Sequence, residues 1–246
     1  CILVRWGYSF YRDQIEHYDI TSPDIYGVDC VDIGSRKLSF TTIYELGFCL
    51  ALKNSVSSST HTILEIGSGV GEVARILLTT KTCAKYIIID IPPALAFSQR
   101  VLSETFGDDK MSFWDKDRKK IDLGDKNICY FLTPDQIDQV PSFDLGINRS
   151  SFGEMTADIV QGYIQVLKNK NFNEFISVNQ RIKKIGSTEI IGEKQYIDYF
   201  APGYECTRKA FYDCNHPFFD LQEDKPGKQG YQWLHFHKVG LKAQIS

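Results

Sequence analysis

The chain has little of what marks several protein classes. No apolar run approaches the roughly 20 residues a membrane-spanning helix requires, and no segment has the order of a signal peptide. No long basic run stands against the net charge of −3, so neither nucleic acid nor an anionic membrane is expected as a partner. The seven cysteines include no C-x-x-C pair. That argues against a structural zinc site and for reduced thiols in a cytoplasmic protein. Internal repeats and low-complexity stretches are missing, as is a phosphate-cradling loop ending in G-K-[ST]. What is present suits one compact enzyme-sized unit: 246 residues, 43% of them hydrophobic, can bury a substantial core. The chain opens on Cys1 rather than methionine, so further N-terminal residues are expected ahead of it.

The most informative stretch is Ile63-Leu64-Glu65-Ile66-Gly67-Ser68-Gly69-Val70-Gly71-Glu72-Val73-Ala74-Arg75-Ile76-Leu77. It reads as a buried strand, a glycine turn and an amphipathic helix. A dinucleotide fingerprint would place a third glycine where Glu72 stands, and a carboxylate there repels a pyrophosphate while suiting the helix dipole. Glu65 adds a second acid near the strand's end. Acidic rather than basic, this turn suits a positively charged ligand without phosphates, and S-adenosylmethionine fits that description. An ordinary glycine-rich turn with no ligand is the plain alternative. About twenty residues on, Asp90 ends the apolar run Tyr86-Ile87-Ile88-Ile89, where α/β nucleotide folds place a carboxylate on the ribose hydroxyls. It could equally cap the helix that Pro92 opens.

Strands at 63–66, 85–90, 127–132, 143–148, 174–179, 204–214 and 231–239 alternate with helices at 70–80, 93–106 and 154–168. A short helix or turn falls at 134–139 and a helix near 187–200. Residues 107–125 form a polar excursion. Residues 1–54 are aromatic-rich and end in a helix at 41–52, so they read as a small N-terminal cap ahead of a domain over 55–246. Alternation implies an α/β fold with a mostly parallel sheet, helices on both faces and a closing antiparallel pair. Ligands in such sheets bind beyond the carboxyl ends of the strands. The candidate positions are therefore 67–71, 90–91, 132–133, 148–154, 179–181 and the neighbourhood of His216.

The glycine turn with Glu65, the acid at Asp90 and the β/α order resemble class I S-adenosylmethionine-dependent methyltransferases, over about residues 60–240. More narrowly, three stretches resemble a sugar O-methyltransferase family of bacterial surface-polysaccharide clusters. They are Ile87-Ile88-Ile89-Asp90-Ile91-Pro92-Pro93-Ala94-Leu95-Ala96, Phe143-Asp144-Leu145-Gly146-Ile147-Asn148-Arg149-Ser150-Ser151-Phe152-Gly153-Glu154-Met155 and Phe175-Ile176-Ser177-Val178-Asn179-Gln180-Arg181. The resemblance implies a Rossmann-like sheet of seven strands with the last antiparallel, S-adenosylmethionine as cofactor, and a sugar or other small molecule as acceptor. It implies that Glu65, Gly67, Ser68, Gly69 and Gly71 approach the methionine and ribose part. Asp90 and Ile91 would meet the ribose, Leu132 and Thr133 the adenine, with Asn148 completing the cofactor set. Where many such enzymes carry an acid for the adenine amino group, this chain has Thr133-Pro134.

Methyl transfer to a hydroxyl requires in-line approach and removal of a proton. Glu154 and His216, both at the site edge, are the candidate bases. Glu154 could instead be a capping-box partner of Ser151, and His216 a loop histidine beside Pro217. Arg149, Ser150 and Arg181 are candidate acceptor-binding residues. His235 and His237 form an H-x-H pair on one strand face, but without a carboxylate partner in view no metal is expected. Three further function classes remain open: an O- or N-methyltransferase on a non-sugar acceptor, a non-catalytic cofactor-binding domain, and, weakest, a nicotinamide dehydrogenase.

Overall fold

The computed structural model describes residues 2–23, 29–56, 60–117, 120–170, 172–180, 182–185, 188–212, 221–223 and 230–240. Two expected site residues, Arg181 and His216, lie outside the described residues. The N-terminal segment comprises helix α1 (Ile2–His17), a hairpin of β1 (Cys30–Ile33) and β2 (Arg36–Ser39), and helix α2 (Phe40–Lys53). There follow β3 (Thr62–Ile66), α3 (Glu72–Thr79), β4 (Lys85–Ile89), α4 (Pro92–Phe106), β5 (Met111–Ser112) and β6 (Cys129–Leu132). Next come β7 (Leu145–Arg149), α5 (Ala157–Lys168), β8 (Glu174–Gln180), a second hairpin of β9 (Ile182–Ile185) and β10 (Thr188–Gly192), and α6 (Glu193–Phe200). The chain closes with β11 (Tyr204–Tyr212), β12 (Leu221–Glu223) and β13 (Tyr231–Lys238).

One nine-stranded sheet holds the order β12-β11-β13-β8-β7-β3-β4-β6-β5. Its kernel is the seven expected strands. From β6 to β8 the neighbours run parallel, and β13 runs antiparallel to both β8 and β11. The expected count of seven is short by the two edges, where β5 adds a parallel strand and β12 an antiparallel one. Both are too short, at two and three residues, to show a period of their own. The helix expected near 187–200 begins later, at Glu193, because its first part is β10.

Central parallel strands are covered on both faces, so they read as unbroken apolar runs. All five residues of β3 are buried. Ile63, Ile88 and Ile147 join a core that also contains α2, α3 and part of α1, whereas Leu64, Ile87 and Phe175 join a second core under α5 and α6. Alternate residues of each strand serve alternate cores, which places helices on both faces. Residues of the N-terminal segment, among them Val4, Tyr11, Ile43 and Leu46, belong to the first core outright. Cys49, Cys83 and Cys129 are buried thiols. No helix among the described residues is long and apolar enough to cross a membrane.

Candidate functional site

The three glycines of the turn between β3 and α3 all have positive φ, +76° at Gly67, +55° at Gly69 and +79° at Gly71, a region open to glycine at little cost. Gly67 also leaves room for a close approach: a Cβ there would stand 2.1 Å from Ser151 Oγ. That hydroxyl donates instead to the Ile66 carbonyl at 2.9 Å. The Glu154 amide donates to the Ser151 carbonyl at 2.9 Å rather than to its hydroxyl, and the Ser151–Glu154 capping box does not form. Glu154 lies in a short 3-10 turn, Phe152–Glu154, and α5 starts only at Ala157. The helix expected from 154 is shortened accordingly, and Glu154 points to solvent.

Beside the turn lies a cavity of about 410 Å³, lined by Glu65, Gly67, Ser68 and Gly69 together with Glu72, Arg149 and Ser150. Thr41, Tyr44 and Glu45 of α2, and Tyr231 of β13, also line it, with Val70, Val73 and Val178 as its apolar part. Glu65 is buried, with one hydrogen bond from Tyr86 Oη at 2.9 Å. Burial pushes its carboxyl up to about 8, against the opposing pull of that tyrosine and with a further upward push from Asp90. Arg149 forms an ion pair with Glu45 and lies over the rings of Tyr44 and Phe48, 5.0 and 4.7 Å from their centres. It thus ties β7 to α2 across the cavity. Ser150 holds φ at +66°, a conformation non-glycine residues adopt at a cost and which clusters at functional sites.

Asp90, half-buried, is placed at the tip of β4 on the other side of the turn. One carboxylate oxygen accepts from the Gly69 amide at 2.9 Å and the other from Ile91 at 2.7 Å. Burial raises its pKa, while the amides of Ile91, Gly69 and Ser68 and the Ser68 hydroxyl oppose the shift. It does not cap α4, whose N-cap is Ile91 with no side-chain bond. Ile91 exposes its side chain at this edge, and the Leu132 carbonyl accepts from the Asp90 amide at 3.1 Å while its side chain enters the core. Thr133 is buried, caps the 3-10 turn Pro134–Gln139 with Gln136, and accepts from Trp114 Nε1 at 3.2 Å.

Asn148 is buried and fully engaged. Its amide donates to the Ile66 carbonyl at 2.9 Å and to Ser151 Oγ, and its oxygen accepts from Asn179 at 2.8 Å and from the Phe152 amide at 3.2 Å. Asn179 in turn accepts from the Gly153 amide at 3.0 Å. The N-x-x-S-x-x-E-M stretch therefore works as a clasp that holds the loop after β7 against the end of β3.

The structure brings Glu65, Gly67, Ser68, Gly69, Arg149 and Ser150 into one cavity, leaves Gly71 outside its lining, and puts Asp90, Ile91 and Thr133 on the adjoining side of the turn. Reading the sequence missed two groups. Thr41, Tyr44 and Glu45, with Phe48 behind them, recur at helical spacing and form a second stripe on α2 beside its apolar one; that stripe was a usable signal. Phe113 and Trp114 come from the polar excursion. Phe113 stacks on Phe131 at 6.3 Å and Trp114 reaches Thr133, a meeting that only the β5–β6 pairing creates.

No protein-family model matches the sequence, and neither does any curated protein. Solved structures match the fold. One is magnesium protoporphyrin IX methyltransferase from Synechocystis PCC 6803 with bound SAH, at a TM-score of 0.54 and 12% identity over 96% of this chain and 98% of that one. The glycopeptide N-methyltransferase MtfA complexed with (S)-adenosyl-L-methionine matches at 0.53 and 9%, over 79% of this chain and 94% of that one. The mitomycin 7-O-methyltransferase MmcR matches at 0.51 and 12% over 79% of this chain, which spans only 53% of that protein. The chain has the Rossmann-like α/β fold that these methyltransferases share.

Proposed function

We propose that the chain is an S-adenosylmethionine-dependent methyltransferase acting on a hydroxyl of a sugar or glycoconjugate. The observation that carries this reading is the acidic glycine turn: Glu65 lines the cavity and Asp90 is held by the Gly69 amide on the other side. The residues fit such a ligand. A Cβ at Gly69 would meet nothing within 4 Å, so backbone is open to close contact there. The cavity is of ligand size. Its Glu65 is a buried acid with no cationic partner among its perturbing groups, and a cation would compensate it. When bound, the sulfonium supplies an electrophilic methyl group.

The chain's own residues then divide the work. Gly67, Ser68, Gly69 and Gly71 receive the amino-acid portion beside Glu65. Asp90 accepts from ribose hydroxyls, with Ile91 against the ring, and Leu132 and Thr133 border the base. Asn148 positions this edge through its clasp. Ser150 and Arg149, with Arg181, orient the acceptor, and residues 1–54 cap it through Tyr44 and Glu45. Glu154 and His216 are the proposed bases that remove the hydroxyl proton as the oxygen–carbon bond forms. The narrow resemblance of residues 143–155 supports the sugar acceptor.

Mass spectrometry of ligand released from purified protein, followed by calorimetric titration, tests the cofactor. S-Adenosylmethionine or its demethylated product is expected, and recovery of a nicotinamide dinucleotide sinks the reading. With labelled methyl donor and a panel of sugars, phenols and amines, sugars are expected to turn over. Glu154→Gln and His216→Ala should each lower kcat by about 10²–10⁴-fold if they act as base, with cofactor affinity unchanged. Transfer only to amines would replace the O-methyltransferase reading.

A further inference from the structure

At the far end of β8 and β13, Glu174, His235 and His237 each present a ligand atom, all within 4.8 Å of one another. We infer that these three side chains form a binding site for a divalent transition ion of the zinc type, separate from the methyl-transfer cavity. The inference does not depend on the methyltransferase reading.

The strand register assembles the site. His235 and His237 are two apart on β13 and so share one face, and His237 stands directly opposite Glu174 on the antiparallel neighbour β8. Glu174 Oε2 is 2.8 Å from His235 Nε2, and the two imidazole centres are 4.1 Å apart with planes inclined by 37°. His235 and Glu174 are both buried. A histidine–carboxylate pair alone would account for His235 but not for a second imidazole with a ligand atom within 4.8 Å of the same pair.

Zinc holds nitrogen and oxygen ligands at about 2.0–2.2 Å, which sets neighbouring ligand atoms roughly 3 to 3.5 Å apart. The pair at 2.8 Å is already near that spacing. The half-buried His237 ring has the freedom to close the remaining gap by rotation. Two imidazoles and a carboxylate are the donor set that suits zinc, and it occurs with one coordination position left open. Across β13 from Glu174, Glu205 of β11 also stands opposite His237 and can fill that position directly or through water. Tyr231, which lines the cavity, is six residues from His237 along β13, roughly 20 Å at the usual strand rise. The ion would therefore staple β8 to β13 rather than touch the acceptor.

The test uses the full chain, freed of metal by chelator dialysis, titrated with Zn²⁺ by calorimetry and with Co²⁺ by visible spectroscopy. One ion per chain is expected, with a Co²⁺ spectrum of nitrogen and oxygen ligation. At free zinc one hundred times Kd, the folded-to-unfolded ratio should rise about 100-fold. His237→Ala, at the half-buried ring, and Glu174→Gln, which keeps the shape of the carboxylate, should each weaken zinc binding at least tenfold. Urea titration without zinc establishes that each variant is folded. No stoichiometric binding, equal binding by the wild type and both folded variants, or thiolate charge-transfer bands would overturn the site.

Discussion

Glu65 and Glu72 flank the same glycine turn and are both buried, at 1% and 6% exposure, yet their surroundings are opposite. Glu72 meets Arg75 through two hydrogen bonds, 2.8 and 2.6 Å, and accepts from Thr42 Oγ1 at 2.6 Å. Arg75 also donates to the Thr21 carbonyl at 2.8 Å, so this acid fastens the N-terminal segment to α3. Glu65 has one tyrosine hydroxyl, and burial leaves its carboxyl pushed up to about 8. Both acids that look alike in the sequence border the cavity, but one is neutralised by an arginine and the other has none. A charge at a glycine turn therefore identifies a ligand only once its internal partners are known.

Removing the cation from the satisfied side should have the largest effect. Arg75→Met leaves Glu72 buried without its partner and is expected to cost about 3–5 kcal/mol, measured by urea unfolding at pH 7. A loss below 1 kcal/mol would mean the two acids are equivalent after all.

Glu65→Gln probes the other side through pH. The folded chain holds the Glu65 proton to about 8 whereas the ordinary value is 4.5. Its stabilisation is complete below 4.5 and is lost as pH rises through 8. From pH 6 to 8 the wild type should lose roughly 2 kcal/mol that the Gln variant retains, taking about 1.4 kcal/mol per pH unit. Parallel pH profiles for the two proteins would refute the raised carboxyl.

The smallest change is Tyr86→Phe. It deletes the one hydrogen bond to Glu65 and should cost about 1 kcal/mol, with the Glu65 carboxyl moved further up. Carbon-13 NMR of labelled glutamate reads the second effect, and a downward shift would show that the hydroxyl does not stabilise the ionised form.

The five parallel kernel strands were legible because burial on both faces writes itself as apolar runs such as Tyr86-Ile87-Ile88-Ile89, bounded by glycine, proline and acids. The glycine turn was legible for a similar reason: positive φ at Gly67, Gly69 and Gly71 and the contact of Gly67 with Ser151 admit few other residues. Side-chain partnerships were not. Asn148 and Ser151 were read as site residues or caps, yet they hydrogen-bond to the Ile66 carbonyl, more than 80 residues away. Arg149 was placed at the site by its position after β7, but its ion pair with Glu45 and its seat over two aromatic rings could not be read from the sequence. His235 and His237 lacked a carboxylate because Glu174 lies 61 residues earlier than His235 in the chain.

By itself, the sequence determined the α/β order, the parallel kernel, and a glycine turn flanked by two acids, since local periodicity and glycine stereochemistry encode those directly. Tertiary structure alone decided which acid stays available, which helix walls the cavity, and that two histidines stand close to one glutamate. Those depend on strand register and on contacts between distant segments, where one neighbouring cation or its absence changes what the same carboxylate can do.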